Sequence, residues 1–110
     1  MMLDVYFEDQ HYRVEVTDVL LRRGREFFEK MDRDMDAGWQ MGPVFVEDLD
    51  DKKRAQIAAS KLVVALENQN DAMSKAMSGY IVFRLPRVTA VHIDTRGEML
   101  NTEFVMRDAS

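Results

Sequence analysis

Three carboxylates at alternate positions form the most distinctive chemical pattern in this 110-residue chain. They are Asp32, Asp34 and Asp36, and they are followed directly by Ala37 and Gly38. Carboxylates two residues apart can converge where the backbone turns sharply, and Ca²⁺ takes about six to eight oxygen ligands from such a loop. The segment therefore predicts a weak binding site for Ca²⁺ or Mg²⁺.

The same segment resembles the calcium loop of the EF-hand family, in which alternating acids follow an amphipathic helix. The resemblance covers this segment alone and departs from the family's pattern at two positions. Ala37 stands where the loop needs its turn glycine, and Pro43 stands where a bidentate glutamate completes the ligand shell. The alternative is that the acids lie on the solvated end of a helix that Gly38 terminates. That alternative leaves a cost unexplained, because acids are unfavourable near a helix C-terminus.

Large apolar side chains cluster in the connection that follows the acidic segment. Trp39, Met41 and Phe45 lie between Gly38 and Val46, where glycine and proline interrupt the helical pattern. Aromatic rings and flexible thioethers are typical of recognition surfaces, so these three residues are the predicted interface. The alternative is that they fold back over the helices and close the core.

Two histidines offer a third kind of site. His11 and His92 each lie on the predicted polar side of a β-hairpin, with several acids on the same sides. Two imidazoles and a carboxylate can bind a transition metal, although only the arrangement of the hairpins decides whether they meet. No serine stands in a glycine-flanked elbow, and the five glycines form no phosphate-binding loop. The sequence thus predicts no catalytic residues, and an enzyme is the less favoured class.

Composition excludes several classes of partner. The net charge of −5 argues against nucleic acid, because phosphate binding draws on a basic surface. No segment is apolar over the roughly 18 residues that a membrane span needs. Residues 1–9 carry acids where a secretory signal would carry basic and then apolar residues. The chain has no cysteine, which is compatible with a reducing compartment. The expected location is the cytoplasm.

Alternation of apolar and polar residues predicts a β-hairpin at each end of the chain. In the first, over residues 3–16, a turn centred on Asp9 and Gln10 would set Phe7 opposite Tyr12. The second, over residues 88–106, would turn at Arg96 and Gly97.

Three helices are predicted between the hairpins. The first runs from Asp18 to about Asp36 and has Gly24 within its apolar stripe, which predicts a close approach by another backbone. The second begins at Asp48 or Asp50, and a third ends near Leu85, unless these two form one bent helix. Both hairpins should combine into one sheet, because two strands alone are marginal in water. We therefore expect residues 1–110 to form one two-layer α+β domain with an antiparallel sheet packed on three helices (ββαααββ).

These patterns favour a small, non-enzymatic protein-interaction domain that self-associates as a homo-oligomer. The exposed strand edges of the hairpins and the apolar connection would be buried by association with another chain, and no group of catalytic residues is apparent. The alternative is a domain that responds to a divalent cation through Asp32, Asp34 and Asp36. A small enzyme built around His11 and His92 is the third class.

Overall fold

The computed structural model describes residues 1–108, and it has the α+β organisation that the sequence predicts. Strand pairs stand at both ends of the chain, with helices between them. In chain order the elements are β1 (Met2–Phe7), β2 (Gln10–Glu15), α1 (Asp18–Arg23), α2 (Arg25–Met35), β3 (Trp39–Met41), β4 (Val44–Val46), α3 (Asp51–Glu67), α4 (Asp71–Arg84), β5 (Val88–His92) and β6 (Glu103–Met106).

The main sheet has four strands in the order β2-β1-β5-β6. Each hairpin is antiparallel, as expected, but β1 and β5 run parallel where the two hairpins meet. The sheet is therefore mixed, which corrects the expectation of a fully antiparallel one. Alternate residues such as Leu3, Val5 and Val91 point into the core beneath the helices, and their neighbours form an outer face.

The first hairpin turns one residue earlier in the chain than predicted, which shifts the pairing of its strands by two residues. Phe7 pairs with Gln10, and Val5 pairs with Tyr12. The turn consists of Glu8 and Asp9, and both have positive φ, as a type I′ hairpin turn requires. The predicted register was wrong, because these residues adopt the left-handed conformation without being glycine or asparagine. A shift by two residues preserves the faces, so the predicted apolar side still points inward.

The first predicted helix is in fact two helices, α1 and α2, joined at Gly24. A Cβ atom on Gly24 would lie 2.7 Å from Cζ of Phe28 and 2.9 Å from the carbonyl oxygen of Leu20. A Cβ atom on Gly79 of α4 would lie 3.0 Å from the same Phe28 atom. The predicted close contact at Gly24 therefore exists, but with the Phe28 ring and a local carbonyl rather than with the backbone of another element.

We expect Gly24→Ala to lower the free energy of unfolding by about 1–2 kcal/mol. The added methyl group overpacks against a fully buried ring, and this cost exceeds the gain in helix propensity. Thermal unfolding of the variant measures the change. Combining Gly24→Ala with Phe28→Leu should cost less than the sum of the two single changes, since the smaller side chain makes room. A higher melting temperature for Gly24→Ala would contradict the close contact.

The remaining helices form an antiparallel pair rather than one bent helix. Helices α3 and α4 are separated at residues 68–70, where Gln69 has a positive φ. Asp50 caps α3 by accepting a hydrogen bond from Lys53 N, and Asn70 caps α4 by accepting one from Met73 N. The connection before α3 forms a small hairpin of β3 and β4 that was not predicted.

The second hairpin is longer in its connection than predicted. Val91 pairs with Phe104, and a 3-10 helix at Met99–Asn101 occupies the place of a tight turn. The side chain of Gln56 in α3 donates hydrogen bonds to the carbonyl oxygens of Leu100 and Thr102, which holds this segment against the helices. Within residues 1–108, no helix is long and apolar enough to cross a membrane.

Candidate functional site

Asp32 is the centre of the most connected group of charged side chains. Its carboxylate lies at the end of α2 and is only 17% exposed. Arg84 of α4 reaches it with a forked pair of contacts, Nε to Oδ1 at 3.1 Å and Nη2 to Oδ2. The Tyr80 hydroxyl donates a hydrogen bond to Oδ1 at 2.6 Å. Such a charge-assisted, bidentate arrangement is strong and fixes the geometry of both groups.

Arg54 of α3 joins the same group from a second direction. Its Nη1 atom donates to the backbone oxygen of Asp32 at 3.0 Å and lies 3.4 Å from the carboxylate. Its Nη2 atom donates to Asp36 at 2.9 Å, and its Nε atom donates to the carbonyl oxygen of Leu49. Two guanidinium groups thus stand at the C-terminus of α2. They offset the repulsion between the acids and the helix dipole, which the sequence left unexplained.

The pKa values follow from these contacts. Burial alone would raise the pKa of Asp32, but hydrogen bonds from Arg84 and Tyr80 and the charges of both arginines hold it below its ordinary value of 3.8. Burial and the hydrogen bond to Asp32 raise the pKa of Tyr80 to about 12. The Arg84 guanidinium would be disfavoured by burial, yet its bonds to Asp32 and Tyr80 raise its pKa. At neutral pH the group consists of a carboxylate, two guanidinium ions and a neutral phenol.

Each of the three predicted cation ligands is already paired with a basic side chain, and Asp32 and Asp36 share Arg54. Asp32 is held by Arg84, Tyr80 and Arg54, Asp36 by Arg54, and Asp34 by Lys30 at 3.3 Å. Among residues 1–108, no group of three or more histidine, cysteine or acidic side chains is placed to hold a metal ion. Both oxygens of Asp32 already accept bonds from cations, so a metal ion would have to displace an arginine there.

The two histidines do come together, but a tyrosine separates them. The rings of His11 and His92 stack on opposite faces of the Tyr6 ring, with centroids 4.4 and 4.7 Å from it and nearly parallel planes. His11 Nε2 also lies 2.9 Å from Oδ1 of Asp4. With a phenol ring between them, the imidazoles cannot share one ion. They instead form an aromatic row across three strands of the outer face.

The predicted interface residues have different environments. Met41 is only 1% exposed and belongs to the core, which agrees with the alternative for that residue and removes it from the surface of the chain. Trp39 is half-buried, and Nζ of Lys61 lies 5.0 Å from the centre of its ring. Phe45 is 54% exposed on β4. Of the three, Phe45 offers the most surface to a partner.

An apolar groove lies between α2, α3 and α4 and was not predicted. It encloses about 530 Å³, with Met31 and Met77 buried at its floor and Phe27, Val64 and Met73 exposed along its sides. The sequence indicates this groove only weakly, because its lining residues are contributed by three separate helices. Likewise, Arg54, Tyr80 and Arg84 have no sequence pattern that marks them as partners of Asp32.

The two edge strands of the main sheet are a further candidate binding surface. In the part of the chain that the structure describes, strands β2 and β6 each have a neighbouring strand on one side only. The outward side of β2 carries the exposed residues His11, Arg13 and Glu15, and Arg13 Nε lies 3.2 Å from Oδ1 of Asp4.

Comparison with protein-family models, curated proteins and solved structures gives no match to this chain.

Proposed function

We propose that this protein is a small, non-enzymatic interaction domain that works as a homo-oligomer in the cytoplasm. The observation that carries the proposal is the strand order, which, among residues 1–108, leaves both outer strands of a four-stranded sheet with unpaired backbone groups. The absence of cysteine in the sequence agrees with a reducing compartment.

Two further observations support a binding role over a catalytic one. The best-connected polar group, around Asp32, has its charges paired with one another, so it offers no free base or nucleophile to a substrate. Large apolar side chains are instead exposed, including Phe27, Phe45, Val64 and Val105. Exposed apolar groups at unpaired strands and along a groove are the features of a surface that meets another protein.

The expected result in solution is a dimer or larger closed oligomer at tens of micromolar. Multi-angle light scattering after size exclusion, over a series of loading concentrations, measures the mass against the 12.8 kDa of one chain. A mass of one chain throughout the series would refute self-association.

The alternative proposal is a cation-responsive domain, in which Asp32, Asp34 and Asp36 bind Ca²⁺ or Mg²⁺ weakly. Cation binding would stabilise the fold by roughly 0.4–1.4 kcal/mol at one to ten times the Kd. The arginine pairing of Asp32 and Asp36 favours the opposite result, so we expect 10 mM Ca²⁺ at constant ionic strength to leave the melting temperature unchanged. A rise in melting temperature that Asp34→Asn abolishes would instead establish the cation site.

A further inference from the structure

The outward backbone groups of β2 are fixed by its pairing with β1. Met1 and Val16 exchange two backbone hydrogen bonds, N to O at 2.9 Å in one direction and 2.8 Å in the other. In an antiparallel pair such bonded positions recur at every second residue. Tyr12 and Val14 therefore bond to β1, and the N–H and C=O groups of His11, Arg13 and Glu15 point away from it. These three residues form the free edge of β2.

We infer that two copies of the chain pair through the free edges of β2, antiparallel, about a two-fold axis at Val14. This inference rests on the proposed self-association and names the surface that it uses. The two four-stranded sheets then continue into one sheet of eight strands. Residues of one copy meet those of the other so that Arg13 faces Glu15 twice, and Val14 faces Val14.

Charge selects this register over its neighbours. An axis at Arg13 would set Arg13 against Arg13, and an axis at Glu15 would set Glu15 against Glu15. An axis at Tyr12 would set His11 against Arg13. A shift by one residue would place the buried side of one strand beside the solvated side of the other. Only the axis at Val14 puts opposite charges opposite each other at both positions.

The core side of the strand supports the same register. Val14 is 8% exposed and lies on the inner face, next to Tyr12, whose ring stacks on Phe7. Val14 is a position that does not bond across the proposed junction, and side chains at such positions approach most closely. Pairing at Val14 thus joins the apolar rows of the two copies, while the charged row of Arg13 and Glu15 stays on the outer face.

The first test reverses one charge on each edge of the sheet. In Glu15→Arg, two arginine pairs replace two opposite-charge pairs, so we expect the dimer to weaken about tenfold or more in its Kd by light scattering. Glu103→Arg is the matched control, because it makes the same change at an exposed position on β6 and should leave the Kd unchanged. Glu15→Pro removes one outward N–H group without touching a bond to β1, and it should also give monomers. Circular dichroism checks that each variant is folded.

The second test reads the register directly and uses the absence of natural cysteines. Val14→Cys places two thiols at the axis, within reach of a disulfide, so mild oxidation should give a covalent dimer. Val105→Cys on β6 is far more exposed and is the control for random collision. Rapid cross-linking at position 14 and slow cross-linking at 105 support the inference. A dimeric wild type in which position 14 fails to cross-link, or which Glu15→Arg leaves intact, overturns this surface but not self-association. A monomeric wild type overturns both.

Discussion

Asp32→Asn is expected to lower the free energy of unfolding by about 2–4 kcal/mol. The change keeps the shape of the side chain but removes the charge that Arg84 and Arg54 neutralise, leaving two guanidinium groups close together with 26% and 14% of their side chains exposed. Loss of one partner from a largely buried ion pair costs more than the pair itself contributes, because the other charges stay desolvated. Urea unfolding followed by circular dichroism measures the effect.

Asp34→Asn is the matched control for this change. Asp34 lies two residues away on the same helix, but its side chain is exposed and pairs with Lys30 alone. A surface pair of this kind contributes little, so we expect a change within about 0.5 kcal/mol. Equal effects of Asp32→Asn and Asp34→Asn would show that the arginine group does not anchor the fold.

The Asp32 carboxylate also makes the stability of the wild type depend on pH in the acid range. The folded pKa of Asp32 is lower than its ordinary value of 3.8, so the folded state binds fewer protons there than the unfolded state. Its contribution to stability is complete above the unfolded pKa and is lost as the pH falls through the folded pKa. Stability measured from pH 6 downward should therefore fall less steeply below about pH 4 in Asp32→Asn than in the wild type.

Phe28→Ala is expected to cost about 3–5 kcal/mol, the largest effect of any single apolar substitution proposed for this chain. The ring is fully buried, packs near Tyr80 and Phe83, and touches the glycines at 24 and 79. Its removal opens a cavity where α1, α2 and α4 meet. Calorimetric unfolding of the variant gives the loss of stability.

The neighbouring phenylalanine is a control of the same chemical type. Phe27 is 41% exposed, so Phe27→Ala should cost about 1 kcal/mol or less. If the two alanine variants unfold at similar temperatures, Phe28 does not hold the helices together in the way that its contacts indicate.

The sequence predicted the elements that depend on local patterns. Alternation at Leu3, Val5 and Phe7 identified a strand and its buried face, because that period is a property of neighbouring residues. Threonine directly before a helical pattern is a common N-cap, and Thr17 accepts a hydrogen bond from Leu20 N. The register of the first hairpin was wrong because it depends on the backbone conformation of Glu8 and Asp9, whose side chains do not reveal it.

Of the charged group around Asp32, the sequence predicted only the acidic segment itself. The acidic segment marked Asp32, but its partners Arg54, Tyr80 and Arg84 lie 22 to 52 residues further along the chain. Nothing local couples residues at such separations, since their contacts arise from how α2, α3 and α4 pack. The environment of Met41 could not be predicted for the same reason.

The parallel pairing of β1 with β5 makes folding depend on a late, long-range step. Asp4 pairs with Ala90, and most of the chain lies between these two residues in sequence. The contacts between α3 and α4, by comparison, form between segments that are adjacent in sequence. Because loop closure precedes any gain from such distant contacts, we expect this chain to fold more slowly than a helical bundle of similar length. During synthesis, β1 and β2 are made before β5, so one side of β1 stays unpaired until β5 has been made. The helices must therefore be made before the sheet that supports them is complete.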